Sequence, residues 1–188
     1  LLVPSVKNAL SFVEHMQGLG DRLGPLFLQL PPSYSPNNKA DFKTFLTALP
    51  RSHTQFAVEV RHLDWFRSPH SEWLSEVLTD LGIGQVLLDS RPIYDVPDDP
   101  QLYVERKKPR VPVNFHASPT FKLVRYISHP NWQLNLNFLQ DWAFHIQQWL
   151  QAGMQVYFFV HCPVEARSPA NARAIQHFLE QQGLPIPP

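Results

Sequence analysis

The chain has 188 residues with sixteen Lys and Arg against sixteen Asp and Glu, so its formal net charge is zero. That balance excludes a global field that would steer it to nucleic acid or an anionic membrane, and 44% apolar content with 12% aromatics excludes a disordered chain. One cysteine, Cys162, excludes an internal disulfide and fits a cytoplasmic setting, while no apolar run is long enough to span a bilayer and no charged and apolar segment reads as a signal peptide.

In chain order, residues 5–17 read as a helix ended near Gly18–Gly20. Residues 24–31, GPLFLQLP, are a short apolar run bounded by Gly and Pro, a buried strand. Residues 38–50 are helical, with Phe42, Phe45, Leu46 and Leu49 on one face, and 55–62, QFAVEVRH, are a strand. A helix over 70–82 stops at Gly82 and a strand follows at 83–90. A long proline-rich connection occupies 91–120. FKLVRYI at 121–127 is a strand, and a helix starts near Asn137, where Asn137 and Gln140 have capping-box spacing, and runs to 151. A strand at 155–161 and a helix at 168–183, with Ser168 as N-cap and Pro169 next, complete the chain.

Apolar strands alternating with helices predict a single α/β domain over 1–188, a parallel sheet covered by helices. Five strands suit an open sheet or the last five strand–helix units of a (β/α) barrel. Side-chain parity favours the barrel. On each strand alternate residues share a face, and every strand carries a polar side chain near its C-terminal end: Gln29, Glu59 with Arg61, Asp89, Arg125 and His161. A barrel opens at those ends, and its active site lies there.

These residues give the candidate site. Glu59, Asp89 and His161 are the candidate acid–base groups; Arg61 and Arg125 are anchors for an anionic substrate; Gln29 is a hydrogen-bonding wall. Alternate strand residues lie about 7 Å apart, which suggests cross-strand partners, Arg61 with Asp89 for example. The plain structural reading is an ion-pair network that closes the core. No cofactor motif is present. A divalent metal on Glu59, Asp89 and His161 is the alternative, opposed by two arginines on the same rim and by the lack of HxH or HExxH spacing. Cys162 follows His161 directly, so on a strand the two point apart. Asn171, in Ser168-Pro169-Ala170-Asn171, reads as fastening a capped helix start rather than a phosphate loop. The run Glu105-Arg106-Lys107-Lys108-Pro109-Arg110, with Tyr94, Tyr103 and Phe115 nearby, is a solvated loop, or a lid or collar. As a nucleic-acid site it is weak.

LGDRLGPLFLQLPPSYSP (19–36), FAVEVRHLDWF (56–66), VLLDS (86–90), LVR (123–125) and SPANARAI (168–175) together resemble the YecE-like family, which carries a domain of unknown function. The resemblance runs from about Leu19 to Leu179. It implies a (β/α) barrel, an N-terminal part with the first barrel strands missing here, and carry-over of Gln29, Glu59, Arg61, Asp89, Arg125 and Asn171 as the family's site positions. It implies no reaction. The chain departs from the pattern at Ile127-Ser128, where the family continues His-Gly after the strand arginine, and at His161-Cys162-Pro163. A start at Leu1 without Met fits a fragment or processed product. The function expected is an enzyme acting on a small polar or anionic molecule. A non-catalytic metabolite- or nucleic-acid-binding protein, or an inactive fragment, is the alternative. No membrane partner is expected, and the oligomeric state is not legible.

Overall fold

The apolar runs fold as five strands, β1 Leu26–Gln29, β2 Phe56–Glu59, β3 Gly84–Asp89, β4 Phe121–Ile127 and β5 Gln155–His161. The helices are α1 Val6–Gln17, α2 Lys39–Thr47, α3 His70–Leu81, α4 Arg91–Tyr94, α5 Leu136–Gln151 and α6 Ser168–Gln181. The computed structural model describes residues 1–98, 100–101, 108–115 and 121–186. β1 pairs parallel with β2, β2 with β3, and β4 with β5. The sheet order follows the chain order, β1-β2-β3-β4-β5. This is an α/β fold on a five-stranded parallel sheet, as strand–helix alternation requires.

The sequence reads as one domain; the contacts divide it into two compact units at β3, Leu1–Val86 in the first and Leu87 onward in the second. Each unit has its own core. In the first, α2 buries Phe42, Phe45 and Leu46, and α3 buries Leu74, Val77 and Leu78, the positions that helical periodicity picks out. Val58 and Val60 join that core, as parity expects, together with Trp65. The Phe42 and Trp65 rings lie 5.3 Å apart, and the Trp65 indole donates to the Tyr34 carbonyl at 2.8 Å, so the largest buried ring keeps its one polar atom satisfied. The Asp41 carboxylate on α2 accepts the N–H groups of Leu2 (2.6 Å) and Val3 (3.1 Å) and the Tyr34 hydroxyl (2.8 Å), which ties the segment before α1 to α2. α3 ends because Gly82 turns left-handed at φ 64°, and the next N–H, that of Ile83, returns to the Leu78 carbonyl.

The second core sets Leu139, Trp142, Ala143, Ile146 and Trp149 of α5, with Ile175 and Leu179 of α6, against Val124 and Tyr126 of β4. Two expected caps differ. Asn137 and Gln140 form no capping box: α5 begins one residue earlier, and Asn135 stands at its N-cap with its side chain turned to the preceding loop. Ser168 is the first helical residue of α6, not its N-cap; its hydroxyl accepts the Cys162 N–H at 3.0 Å instead.

Between β3 and β4 the expected alternation yields only the one-turn α4. Residues 108–115 run on as an irregular strap, since proline at 109 and 112 removes the N–H groups a helix needs. Val111 is buried, and Val113 and Phe115 pack on the α5 core. Ser90 Oγ donates to the Pro109 carbonyl (2.8 Å), the Tyr94 hydroxyl to the Lys108 carbonyl, and Arg110 to Asp95 (2.7 Å). The described part of this connection is therefore bound down on the helix side of its unit. Tyr103 and residues 105–107 of the basic run lie outside the described residues.

Candidate functional site

The first unit brings together Gln29, Glu59 and Arg61. Gln29 stands opposite Glu59 in the β1–β2 register, so the two side chains share one face of the sheet. Gln29 is exposed; Glu59 is fully buried at the last position of β2. Arg61 Nε donates to Glu59 Oε1 at 2.5 Å, and the Arg61 side chain is 17% exposed. The spacing of alternate strand residues suggested a partner on another strand. β2 stops at Glu59, however, so Arg61 lies past the extended segment and folds back on its own carboxylate. Among the described residues neither terminal amino group of Arg61 has a hydrogen-bond partner.

His62 closes the next turn. Its Nδ1 accepts the Asp64 N–H at 3.2 Å and caps the one-turn 3₁₀ helix Leu63–Phe66. The Asp64 carboxylate pairs with Arg67 at 3.0 Å.

The second unit repeats the acid-x-Arg device with a different outcome. Asp89, the last residue of β3, is fully buried. Its Oδ1 accepts the Arg91 N–H and Nε, each at 3.0 Å; its Oδ2 accepts Arg91 Nη2 at 2.8 Å and the Trp142 indole at 2.7 Å. Four donors fill the acceptor sites of this carboxylate. Arg91 is equally engaged: Nη1 reaches Asp141 at 3.2 Å, and Phe115 and Phe138 lie 5.6 and 5.3 Å from the guanidinium carbon. The carboxylates hold the guanidinium in its charged form against a burial that opposes it. Arg91 and Trp142 were not among the sequence candidates. The recurrence of Glu59-x-Arg61 as Asp89-x-Arg91 was the available signal.

Arg125, His161 and Asn171 also belong to the second unit. In register Arg125 faces Phe159 and Ile127 faces His161. The His161 carbonyl accepts both the N–H (2.7 Å) and the hydroxyl (2.8 Å) of Ser128, and Asn171 Nδ2 donates to Ser128 Oγ at 2.9 Å. Asn171 thus fastens the start of α6 to the loop after β4, the role its cap motif suggested. Beside it, buried His129 accepts the Asn131 N–H on Nδ1 at 2.9 Å, which places its proton on Nε2, 3.2 Å from Asp98 Oδ1. Among the described residues no group of three His, Cys, Asp or Glu side chains is placed to hold a metal. After β2 and after β4 a histidine, His62 and His129, accepts on Nδ1 the N–H two residues on. Cys162 is buried, with its N–H bound to Ser168.

A family model described as a protein of unknown function, DUF72, matches residues 3–188. The UPF0759 protein YecE of Escherichia coli O157:H7 is 33% identical over 161 residues, and that of strain K12 is 32% identical over the same length. Each match takes in 84% of this chain, which spans 58% of the length of these relatives. Two crystal structures of a DUF72 family protein from Enterococcus faecalis V583 superpose with TM-scores of 0.66 and 0.65, at 16% and 14% identity. They cover 90% and 93% of this chain and 67% and 65% of theirs, a likeness of fold. No helix among the described residues is long and apolar enough to cross a membrane.

Proposed function

The chain belongs to the family of proteins of unknown function DUF72, and from that premise we propose that it binds a small anionic molecule at the C-terminal ends of its strands and acts on it by acid–base chemistry. The observation that carries this reading is the Glu59–Arg61 pair: a fully buried carboxylate holds one edge of a part-exposed guanidinium and leaves its two amino groups to a ligand. In this reading Glu59 transfers the proton, Arg61 anchors the anion, and Gln29 is a polar wall. In the second unit Arg125 is an anion anchor and His161 a second acid–base group. Asp89 acts as a positioning residue that sets Arg91, and Asn171 holds the loop. The parallel strands in chain order support their assignment to the C-terminal units of a (β/α) barrel, where such ends form the site.

A second reading, a non-catalytic binding protein, draws on the same pair, because Glu59 Oε1 is already engaged by Arg61. The test is a thermal-shift screen of small anions, sugar phosphates, divalent metals and short oligonucleotides on the parent and on Arg61→Ala. A compound that stabilises the parent alone marks the site. Turnover of that compound by the parent, with binding but no turnover by Glu59→Gln, supports the enzyme; binding without turnover in both supports the binding protein. Hits that survive the loss of Arg61, or a parent that nothing shifts, overturn the site.

A further inference from the structure

We infer that the second unit carries a site for an amphiphilic anion, a short apolar chain with one negatively charged head group, in the cavity between α5, β5 and α6. The cavity measures about 330 Å³. Val156, Phe158 and Val160 line it from β5, and alternation along the strand turns Phe159 and His161 to the other face. It is therefore separate from the strand-end site proposed above and independent of that reading. From α6 it takes Ala172, Ile175 and Leu179, one helical face at i, i+3 and i+7 spacing. The segment after α6 supplies a further wall. Gly183 turns left-handed at φ 78°, the Leu184 N–H returns to the Leu179 carbonyl at 3.2 Å, and Leu184 is buried, which fastens Pro185 and Ile186 beside the cavity.

Two features set the class of ligand. The first is the lining. Arg173 and Gln176 are its polar residues and the other ten are apolar. An ordered water needs two to four polar partners, so this lining does not hold a water cluster, and close-packed cores seldom leave a void of this size. Ligand pockets begin at about 300 Å³. At the ~30 Å³ that one water takes in the liquid, the cavity has room for about eleven non-hydrogen atoms, the size of octanoate. The second feature is charge. Arg173 is the one charged residue of the lining, and its side chain is exposed, which sets it at the mouth. Arg61, Arg67, Arg91 and Arg110 each pair with a carboxylate, whereas among the described residues none pairs with Arg173. The residues one turn away on α6, Pro169, Ala170, Gln176 and His177, bring no acid. An apolar cavity with one uncompensated cation at its mouth selects a tail that carries a single negative charge.

The experiment is isothermal titration calorimetry of this chain at pH 7 with octanoate, octyl sulfate and 1-octanol, all below micelle-forming concentrations. Both anions are expected to bind at one site per chain, at least tenfold more tightly than 1-octanol. Butanoate, whose tail leaves much of the cavity unfilled, is expected to bind at least tenfold more weakly than octanoate. Arg173 is exposed, so Arg173→Gln is expected to keep the fold and to bring octanoate within threefold of 1-octanol. Ala172→Phe fills the cavity and is expected to abolish binding of all three; should that variant not fold, Arg173→Gln and the butanoate comparison decide alone. 1-Octanol binding as tightly as the anions, an anion preference that survives Arg173→Gln, or unchanged binding in folded Ala172→Phe overturns the inference. So does a parent that shows no saturable binding, and self-association of the chain that octanoate leaves undisturbed assigns this face to a protein contact instead.

Discussion

The Asp89 carboxylate is held from every side, and that sets what its replacement costs. Asp89 accepts four hydrogen bonds, two from one guanidinium's side nitrogens, one from its backbone and one from Trp142. Asp89→Asn keeps the shape but removes the charge and replaces acceptor by donor on one side. Breaking a buried pair from one partner costs about 3–5 kcal/mol, so Asp89→Asn is expected to lower unfolding free energy by roughly 3 kcal/mol in urea titrations. The exposed Asp64–Arg67 pair sets the comparison: removing it is expected to change stability by less than about 1 kcal/mol. A loss at Asp89 no larger than at Asp64 would remove the positioning role given to it. Parity along the strands was enough to pick out Glu59, Arg61 and Asp89, because a charged residue on a buried face must be compensated. Arg91 was legible only as the repeat of Glu59-x-Arg61, and Trp142, Ser128 and His129 were not legible. Arg91 and Ser128 follow strand ends where parity no longer applies, and Trp142 reads as an ordinary core residue whose indole nitrogen gives no sign in the sequence of what it will meet.

Among the elements, periodicity located all five strands and the five longer helices, with β4 and β5 at the bounds read from the sequence. Caps were less legible than cores, since Asn135, Asn137 and Ser168 are all chemically able to cap, yet none of them caps its helix with its side chain. The 91–120 connection was least legible: its prolines forbid a long helix but do not say that Val111, Val113 and Phe115 will cover a core in its place. One contact between elements carries a pH dependence. Burial opposes ionisation of Asp41, but the N–H groups of Leu2 and Val3 and the Tyr34 hydroxyl outweigh it and hold the carboxyl below its ordinary value of 3.8. A depressed folded value means that the contribution is present above the unfolded value and is lost as pH falls through the folded one. Thermal melts of the parent are therefore expected to fall more steeply below about pH 4 than those of Asp41→Asn, which is less stable at neutral pH and shallower in this window. Parallel acid limbs for the two would exclude Asp41 as the source.

At the scale of the whole molecule the governing quantity is net charge. Sixteen basic and sixteen acidic side chains cancel, and the isoelectric point is about 7.3. With no net repulsion, attraction between exposed apolar side chains such as Phe12, Phe27, Phe144 and Phe159 is unopposed. The solubility minimum is expected near pH 7.3, and its two sides are not symmetrical. The chain carries nine histidines, the residue type that gains positive charge on the acid side of neutrality, so positive charge builds quickly there. The sequence holds no comparable number of side chains that change charge just above neutrality, one cysteine against nine histidines, so charge builds more slowly on the alkaline side. Static light scattering at low salt is expected to show association falling sharply between pH 7 and 6 and only gradually between pH 8 and 9.5. Added salt is expected to raise association at pH 6, where it screens repulsion between like-charged molecules, and to change little near neutrality. A symmetrical profile, or association independent of pH, would mean that apolar contact alone drives it and that net charge does not set the colloidal behaviour of this chain.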